Sequence, residues 1–262
     1  MRFHDINKKI KLIFNIVSLE FPMFDMRYAR QRGGAYHAGL GSRFSFSFGD
    51  YWDPKQVDFS SLLIMNEDVI EPSKGMRTHS HRNMEIITYV LEGSLEHKDS
   101  MDNGSVILSG DVQLMSAGHG VTHSEFNPSS TEDIHLLQIW VVPNIADTIP
   151  KYQQIHISPE DKRGKFHLII SEYCDEKTLT IQQDLHIYAA CFHGDETANF
   201  TIPEGRYIYL HVAKGHIQVN DQIFNTGDAA RIREGEHLYF HSAEHAEVLI
   251  FDLQANEVPK ML

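Results

Sequence analysis

The chain of 262 residues carries 23 Lys and Arg against 36 Asp and Glu, which gives a formal net charge of −13. A surface this negative repels nucleic-acid phosphates and anionic lipids, so direct DNA, RNA or membrane binding is not expected. Two cysteines are too few for a disulfide framework and favour a reducing cytoplasm, whereas 17 histidines are a large supply of the commonest metal ligand.

The first 22 residues precede any strand pattern and are expected to form a dispensable N-terminal extension. Lysines come before a short apolar run, Leu12–Val17, which gives a faint likeness to a secretory signal peptide. The run is interrupted by Asn15, and no cleavage site with small residues follows, so secretion is not expected.

From residue 40 onward the pattern predicts short β-strands separated by turns. Branched and aromatic residues dominate the runs Phe44–Phe48, Ser61–Met65, Glu85–Leu91, Val106–Leu108 and His135–Val142. Asp102-Asn103-Gly104 predicts a hairpin, because Asn and Gly tolerate positive φ. Helical periodicity is scarce, with a single turn expected over Pro159–Arg163. The fold class is therefore predicted to be all-β, a sandwich or a barrel.

The second half of the chain repeats a glycine spacing of the first half. Gly110 and His123 are 13 residues apart, and so are Gly227 and Phe240. Residues 143–165 lie between the halves and are mostly polar, with several prolines, as expected for a connection. We therefore expect two copies of one β-barrel unit.

Two short histidine patterns in the first half predict a metal site. His79-x-His81 places both imidazoles on one face of a strand, because side chains alternate with a period of two, and His123-x-Glu125 does the same for an imidazole and a carboxylate. Chance alone gives roughly one His-x-His pair in a chain with this many histidines, so the combination carries the signal. If the two strands face each other, these nitrogen and oxygen donors suit a divalent transition metal such as non-haem iron.

The glycines around these patterns carry a family resemblance. Gly75-x3-His79-x-His81-x3-Glu85 and Gly110-x12-His123-x3-Asn127 resemble the two sequence motifs of the cupins. More narrowly, residues 26–254 resemble the pirin family. The matching blocks are Arg32–Gly34, Phe44–Phe48, Asn66–Asp68, His79–Gly93, Gly110–Gln113, His123–Asn127, Leu136–Trp140 and Glu247–Leu253. The stretch Tyr36–Leu40 departs from the pattern of the family.

The resemblance implies a bicupin, in which two cupin (jelly-roll) β-barrels pack together and only the first holds a metal. The expected domains are an extension at residues 1–22, a metal-binding cupin at 23–145 and a cupin without metal ligands at 146–262. The ligands of the family correspond to His79, His81, His123 and Glu125. One metal per chain is expected, with iron favoured and Zn, Ni, Mn or Cu as alternatives.

Several other side chains near the motifs are alternatives or are expected to be structural. Glu85 is the main rival ligand, because cupins in general take their carboxylate from the first motif. Asn127 is expected to support the backbone, and His119 to lie in a loop. His37, His97 and His135 are interpreted as surface or strand-face histidines. In the second barrel the four ligand positions correspond to Thr201, Pro203, Phe240 and Ser242.

Two functions remain open from the sequence. The first is a quercetin 2,3-dioxygenase type of enzyme, as described for some pirins, which opens the ring of a flavonol-like substrate with O2 and releases CO, with Glu125 as the base. The alternative is an iron-binding, redox- or metal-responsive regulatory protein that acts through a protein partner. Both need the same four ligands. A cytoplasmic monomer is expected in either case.

Overall fold

The computed structural model describes residues 23–173 and 177–256, so the predicted extension at residues 1–22 and Cys174 lie outside the described residues. The all-β prediction is confirmed, because strands build both halves of the described chain. The helical segments described there are a 3-10 turn at Ala29–Gln31 and one short helix, α1, at Pro159–Lys162. No helix of the described part is long and apolar enough to cross a membrane.

The first barrel consists of a seven-stranded sheet and a four-stranded sheet. Its strands are β2 (Gly33–His37), β3 (Leu40–Phe44), β4 (Leu62–Ile70), β5 (Gly75–His81), β6 (Glu85–Glu92), β7 (Ser94–Asp99), β8 (Gly104–Leu108), β9 (Asp111–Ser116), β10 (Val121–Phe126), β11 (Ile134–Val141) and β12 (Lys151–His156). The strand orders are β12-β9-β6-β11-β4-β3-β2 in the larger sheet and β5-β10-β7-β8 in the smaller one. The predicted hairpin joins β7 to β8, and its Asp102 has a φ of 66°.

The second barrel is one nine-stranded sheet, and β1 (Asp25–Arg27) forms its edge by pairing with β19. Its other strands are β13 (His167–Ser171), β14 (Leu179–Thr180), β15 (Leu185–Gly194), β16 (Ala198–Thr201), β17 (Arg206–Val219), β18 (Gln222–Asn225), β19 (Ala229–Ile232) and β20 (His237–Gln254). Two strands thus cross the predicted domain limits. β1 precedes the first barrel yet pairs in the second sheet, and β12 lies beyond residue 145 yet pairs with β9 of the first barrel.

A shared hydrophobic core joins the two barrels. Every residue of β6 except the last is buried, because one face of this strand lines the first barrel and the other face packs on the second. Ile87 and Tyr89 on the outward face belong to the same core cluster as Tyr209 and Phe251 from the second barrel. The seven-stranded sheet of the first barrel therefore packs its outer face on the second barrel. The metal-ligand patterns lie in the four-stranded sheet, on β5 and β10.

Polar side chains are also buried between the barrels. Lys162 on α1 donates a hydrogen bond to the Tyr89 hydroxyl at 2.7 Å and forms an ion pair with Glu247 on β20. His211 on β17 is fully buried, and its two ring nitrogens have no hydrogen-bond partner among the described residues. Lys162, Tyr89 and Glu247 connect α1 and both barrels, so the contact between the barrels depends on more than apolar packing.

Candidate metal centre

Three imidazoles converge in the four-stranded sheet of the first barrel. β5 and β10 pair in an antiparallel register that sets His123 opposite His79. The ring centroids of His79, His81 and His123 are 4.4 to 4.9 Å apart, and one nitrogen from each ring lies within 4.8 Å of the others. Gly75 permits this pairing, because a Cβ at that position would overlap the backbone oxygen of Glu125. A glycine is therefore needed at position 75 because a side chain there would collide with the backbone of β10.

The orientation of the rings suits metal binding. His79 Nδ1 lies 2.8 Å from the carbonyl oxygen of Arg77, so this nitrogen carries the proton and Nε2 keeps its lone pair. His79 Nε2 and His123 Nε2 are 3.0 Å apart. Two ligands at a right angle, each about 2.1 Å from an ion, would be separated by about the same distance. The two nitrogens therefore have the spacing of adjacent ligands.

Two of the rings are held neutral by their surroundings. Burial, followed by the charge of His79, lowers the pKa of His81 to about 4. Burial and the neighbouring histidines, His79 first, lower the pKa of His123 to about 3, against a small opposing effect of Asp99. A neutral imidazole is the form that binds a metal, so no proton has to be removed near neutral pH.

Glu125 lies deeper in the barrel than the three histidines and is 1% exposed. The amide nitrogen of Gln138 donates to Glu125 Oε2 at 3.0 Å, and Thr88 Oγ1 lies 3.4 Å from Oε1. Burial, with a further contribution from the charge of Asp68, raises the pKa of Glu125 to about 7. An ion beside this carboxyl would lower that pKa by favouring the charged form. One ligand atom of Glu125 lies within 4.8 Å of one of His123, but His79 and His81 group with His123 and not with Glu125, so His123 is the predicted ligand that links the carboxylate to the other imidazoles.

A row of polar side chains crosses the inner face of the large sheet behind Glu125. The strand registers align Asn66 with Gln138, Gln138 with Thr88, and Thr88 with Gln113. All four side chains are buried at positions where a β-barrel normally places apolar residues. Thr88 and Gln138 contact the carboxylate directly and position Glu125, whereas Asn66 Oδ1 and the side-chain amide of Gln113 have no hydrogen-bond partner among the described residues.

A surface cleft of about 520 Å³ borders the candidate centre at His81. It is lined by Ser80, His81, Arg82, Ser100, Gly120, Val121 and Thr122. Beside it the ring of Trp140 lies 4.9 Å from the ring of His81, and Phe48 packs edge-on against Trp140 at 5.6 Å. Larger grooves of about 600 and 900 Å³ lie along the second barrel, and none of the four predicted ligands lines them. Contact with one predicted ligand, His81, and not volume, distinguishes this cleft from the larger grooves.

The comparisons with known proteins agree with this geometry. The Pirin family profile matches residues 25–141, and the profile described as "Quercetinase C-terminal cupin domain" matches residues 168–253. Quercetin 2,3-dioxygenase of Escherichia coli strain K12 is 40% identical over 231 residues, which cover 88% of this chain and 99% of that protein. The chain belongs to the pirin family.

Two solved structures show the same fold. The bacterial pirin YhhW from Escherichia coli, crystallised in complex with nickel(II), is 38% identical with a TM-score of 0.84, and the match covers 89% of this chain and 100% of that one. A quercetin 2,3-dioxygenase from Acinetobacter baumannii is 25% identical with a TM-score of 0.73, covering 89% of this chain and 88% of that one. The predicted bicupin fold is confirmed, and a His/Glu group of the kind that holds a divalent metal is present in its first barrel.

The other residues considered from the sequence have different roles. The side-chain amide of Asn127 donates to the carbonyls of Ile70 and Glu132, so it supports the backbone as expected. His119 lies exposed in the loop before β10, and His37 is exposed on β2. His135 is partly buried, and its Nε2 lies 2.9 Å from Glu67.

His97, interpreted from the sequence as a surface or strand-face histidine, lies on the inward face of β7. It is fully buried, with its ring centroid 5.3 Å from that of His123, and it is not a surface histidine. The signal was present in the strand alternation, because Leu95, His97 and Asp99 share the inner face of β7.

In the second barrel the four corresponding positions cannot build the same centre. Phe240 is fully buried in the core of that barrel, and Thr201, Pro203 and Ser242 carry no imidazole or carboxylate. Both groups of metal-capable side chains found among the described residues lie in the first barrel.

Proposed function

We propose that this protein is a metal-dependent dioxygenase of the quercetin 2,3-dioxygenase type, which cleaves the ring of a flavonol-like substrate with O2 and releases CO. The observation that carries the proposal is the meeting of three imidazoles beside a buried carboxylate in a chain 40% identical to a quercetin 2,3-dioxygenase. We assign His79, His81, His123 and Glu125 as the ligands of one divalent transition metal per chain. Iron is favoured, and Zn, Ni, Mn and Cu compete for such a site.

The donor set of three neutral imidazoles and one carboxylate fits such an ion. It is close to the two-His-one-carboxylate class of iron sites, which leaves further coordination positions open. A bound ion would supply Lewis acidity toward a phenolic hydroxyl and one-electron chemistry toward O2. The residues of the chain orient the substrate and handle its proton. Glu125 takes the hydroxyl proton on a carboxylate oxygen, and Gln138 keeps that carboxylate in place through its amide N–H.

The aromatic side chains next to His81 support a flat, apolar substrate. Trp140 and Phe48 form a continuous edge-to-face pair next to His81. The indole Nε1 of Trp140 is buried and has no hydrogen-bond partner in the part of the chain that is described, so it is available to a substrate oxygen. Phe46, which precedes β4 as Phe48 does, does not pack beside Trp140. It packs on Tyr209 in the core between the barrels.

We further propose that the protein acts in the cytoplasm as a monomer, without direct nucleic-acid or membrane partners. The net charge of −13 and the low cysteine content support this placement.

The test is flavonol turnover by purified protein loaded anaerobically with Fe²⁺. We expect O2 uptake, CO release and loss of flavonol absorbance in equal amounts. His123→Ala is expected to lose the metal and all turnover, whereas His37→Ala removes an exposed histidine and is expected to change neither. Full metal occupancy without flavonol turnover would contradict the enzyme proposal and favour the regulatory alternative.

A further inference from the structure

A fourth histidine lies beside the metal centre with a carboxylate of its own. His97 on β7 is the direct cross-strand neighbour of Glu125, and Asp99 is the neighbour of His123. One ligand atom from each of His97, His123 and Glu125 lies within 4.8 Å of the others, and all three residues are buried. His97 is not among the ligands assigned above.

Asp99 fixes the tautomer of His97. Its Oδ1 accepts hydrogen bonds from the backbone nitrogens of Met101 and Asn103 at 2.8 and 3.1 Å, and Asn103 Nδ2 lies 2.9 Å from Oδ2. So many N–H donors favour the ionised carboxylate, which is an acceptor only. His97 Nε2 lies 3.2 Å from Asp99 Oδ2 and must therefore carry the proton, which leaves a lone pair on His97 Nδ1.

His123 has the complementary arrangement. Its Nε2 faces His79 Nε2 and is the nitrogen available to the metal. When that nitrogen binds an ion, the proton of the ring is on Nδ1, which then needs an acceptor. His123 Nδ1 and His97 Nδ1 are both buried and have no hydrogen-bond partner among residues 23–173 and 177–256. These two nitrogens are not hydrogen-bonded to each other in the structure. With an ion on His123 Nε2, one is a donor and the other an acceptor, and buried polar atoms are rarely left unpaired.

We propose that His97 is a positioning residue of the metal centre: when His123 Nε2 binds the ion, His97 Nδ1 accepts a hydrogen bond from Nδ1–H of His123, so that Asp99, His97 and His123 form one chain behind the ion. The inference rests on the proposed metal centre. In most metal sites a carboxylate or carbonyl orients the ligating histidine directly. Here an imidazole stands between the two, and its orientation is fixed by Asp99. If His97 bound the ion through Nδ1 instead, the Nδ1–H of His123 would lose this acceptor.

The test compares metal binding in matched histidine variants. His97→Phe removes the acceptor while filling a similar volume, and we expect it to weaken Ni²⁺ binding by about 10–100-fold. His97→Gln places an amide oxygen near the same position and is expected to recover most of that loss. His135→Phe removes another histidine of the first barrel that is paired with a carboxylate, and it is expected to leave Ni²⁺ affinity unchanged. Thermal unfolding of the metal-free variants separates lost folding from lost positioning.

Spectroscopy of the Cu²⁺-loaded protein gives the second readout. Electron spin-echo modulation from the remote nitrogen of a bound imidazole responds to the hydrogen bond at that nitrogen, so the signal of one imidazole should shift in His97→Phe. The number of coordinated imidazoles should stay the same. An unchanged affinity with an unchanged remote-nitrogen signal would overturn the proposal, and so would the loss of one coordinated imidazole, which would make His97 a ligand. Neither readout needs flavonol turnover, so the result is independent of the enzyme proposal.

Discussion

Ser116 donates a hydrogen bond from its hydroxyl to Glu85 Oε2 across 2.8 Å, on the face of β6 that points away from the metal centre. Side chains of a strand alternate, so Thr88, which contacts Glu125, lies on the opposite face from Glu85. Glu85 instead shares its face with Ile87 and Tyr89, which pack in the core between the barrels. The carboxylate of the first cupin motif is thus turned toward the second barrel, and the carboxylate of β10 stands next to the histidines.

This relationship predicts different results for the two carboxylates. Substituting a residue that only contacts a metal ligand typically weakens metal binding about 10–100-fold. Glu125→Gln should weaken it by more than that and should abolish flavonol turnover. Glu85→Gln should keep metal affinity close to that of the unchanged protein, because Ser116 can donate to the amide oxygen equally well. Equilibrium competition with a chelator measures both affinities. A metal-free Glu85→Gln together with a metal-loaded Glu125→Gln would contradict the assignment.

The convergence of His79, His81 and His123 could be predicted from the sequence, because it depends mainly on strand alternation, whereas their binding of a metal stays a prediction. His79, His81 and His123 needed only the period of two and the glycine spacing to be singled out. Features that depend on pairing between distant segments were not accessible. The polar row at Asn66, Gln138, Thr88 and Gln113 becomes visible only through the register of four strands. The pairing of β1 with β19 joins residues about 200 positions apart in the chain.

The second prediction concerns the number of metal ions. The described part of the second barrel has no group of three metal-capable side chains, and its His193 and His245 only stack their rings, with centroids 4.1 Å apart. We expect elemental analysis to find close to one transition-metal ion per chain after mild chelation. Zinc or nickel can replace iron, because the affinity order does not favour Fe²⁺ over them. His123→Ala should reduce the value toward zero. A value near two that survives chelation would disprove the single-site assignment.

The third prediction tests the buried ion pair between the barrels. The side chains of Lys162 and Glu247 are only 7% and 13% exposed, and the Tyr89 hydroxyl also donates to Glu247 at 2.5 Å. Lys162→Met leaves the Glu247 charge buried without its cation, which should lower the free energy of unfolding by about 3–5 kcal/mol. Adding Glu247→Leu removes the uncompensated charge and should recover much of that loss. Urea unfolding of the single and double variants measures the coupling, and additive losses would contradict a coupled pair.

The last prediction concerns acid stability and His211. Burial, followed by the charge of Arg32, lowers the pKa of His211 to about 3, although Glu67 opposes the shift and His135 adds to it. The ordinary value is 6.5, so the unfolded chain takes up a proton between pH 6.5 and pH 3 while the folded chain does not. The contribution of His211 to folding stability is therefore complete above pH 6.5 and is lost progressively as the pH falls toward 3.

The measurement is urea unfolding of the metal-free protein and its His211→Leu variant at several pH values. His81 and His123 also have lowered pKa values and make both proteins acid-sensitive, so the difference between the two proteins is the informative quantity. Relative to the variant, the unchanged protein should lose up to about 1.4 kcal/mol of folding free energy for each pH unit below 6.5. His37→Leu, at an exposed position, should show no such trend. A difference that does not vary with pH would mean that His211 is not buried as a neutral imidazole.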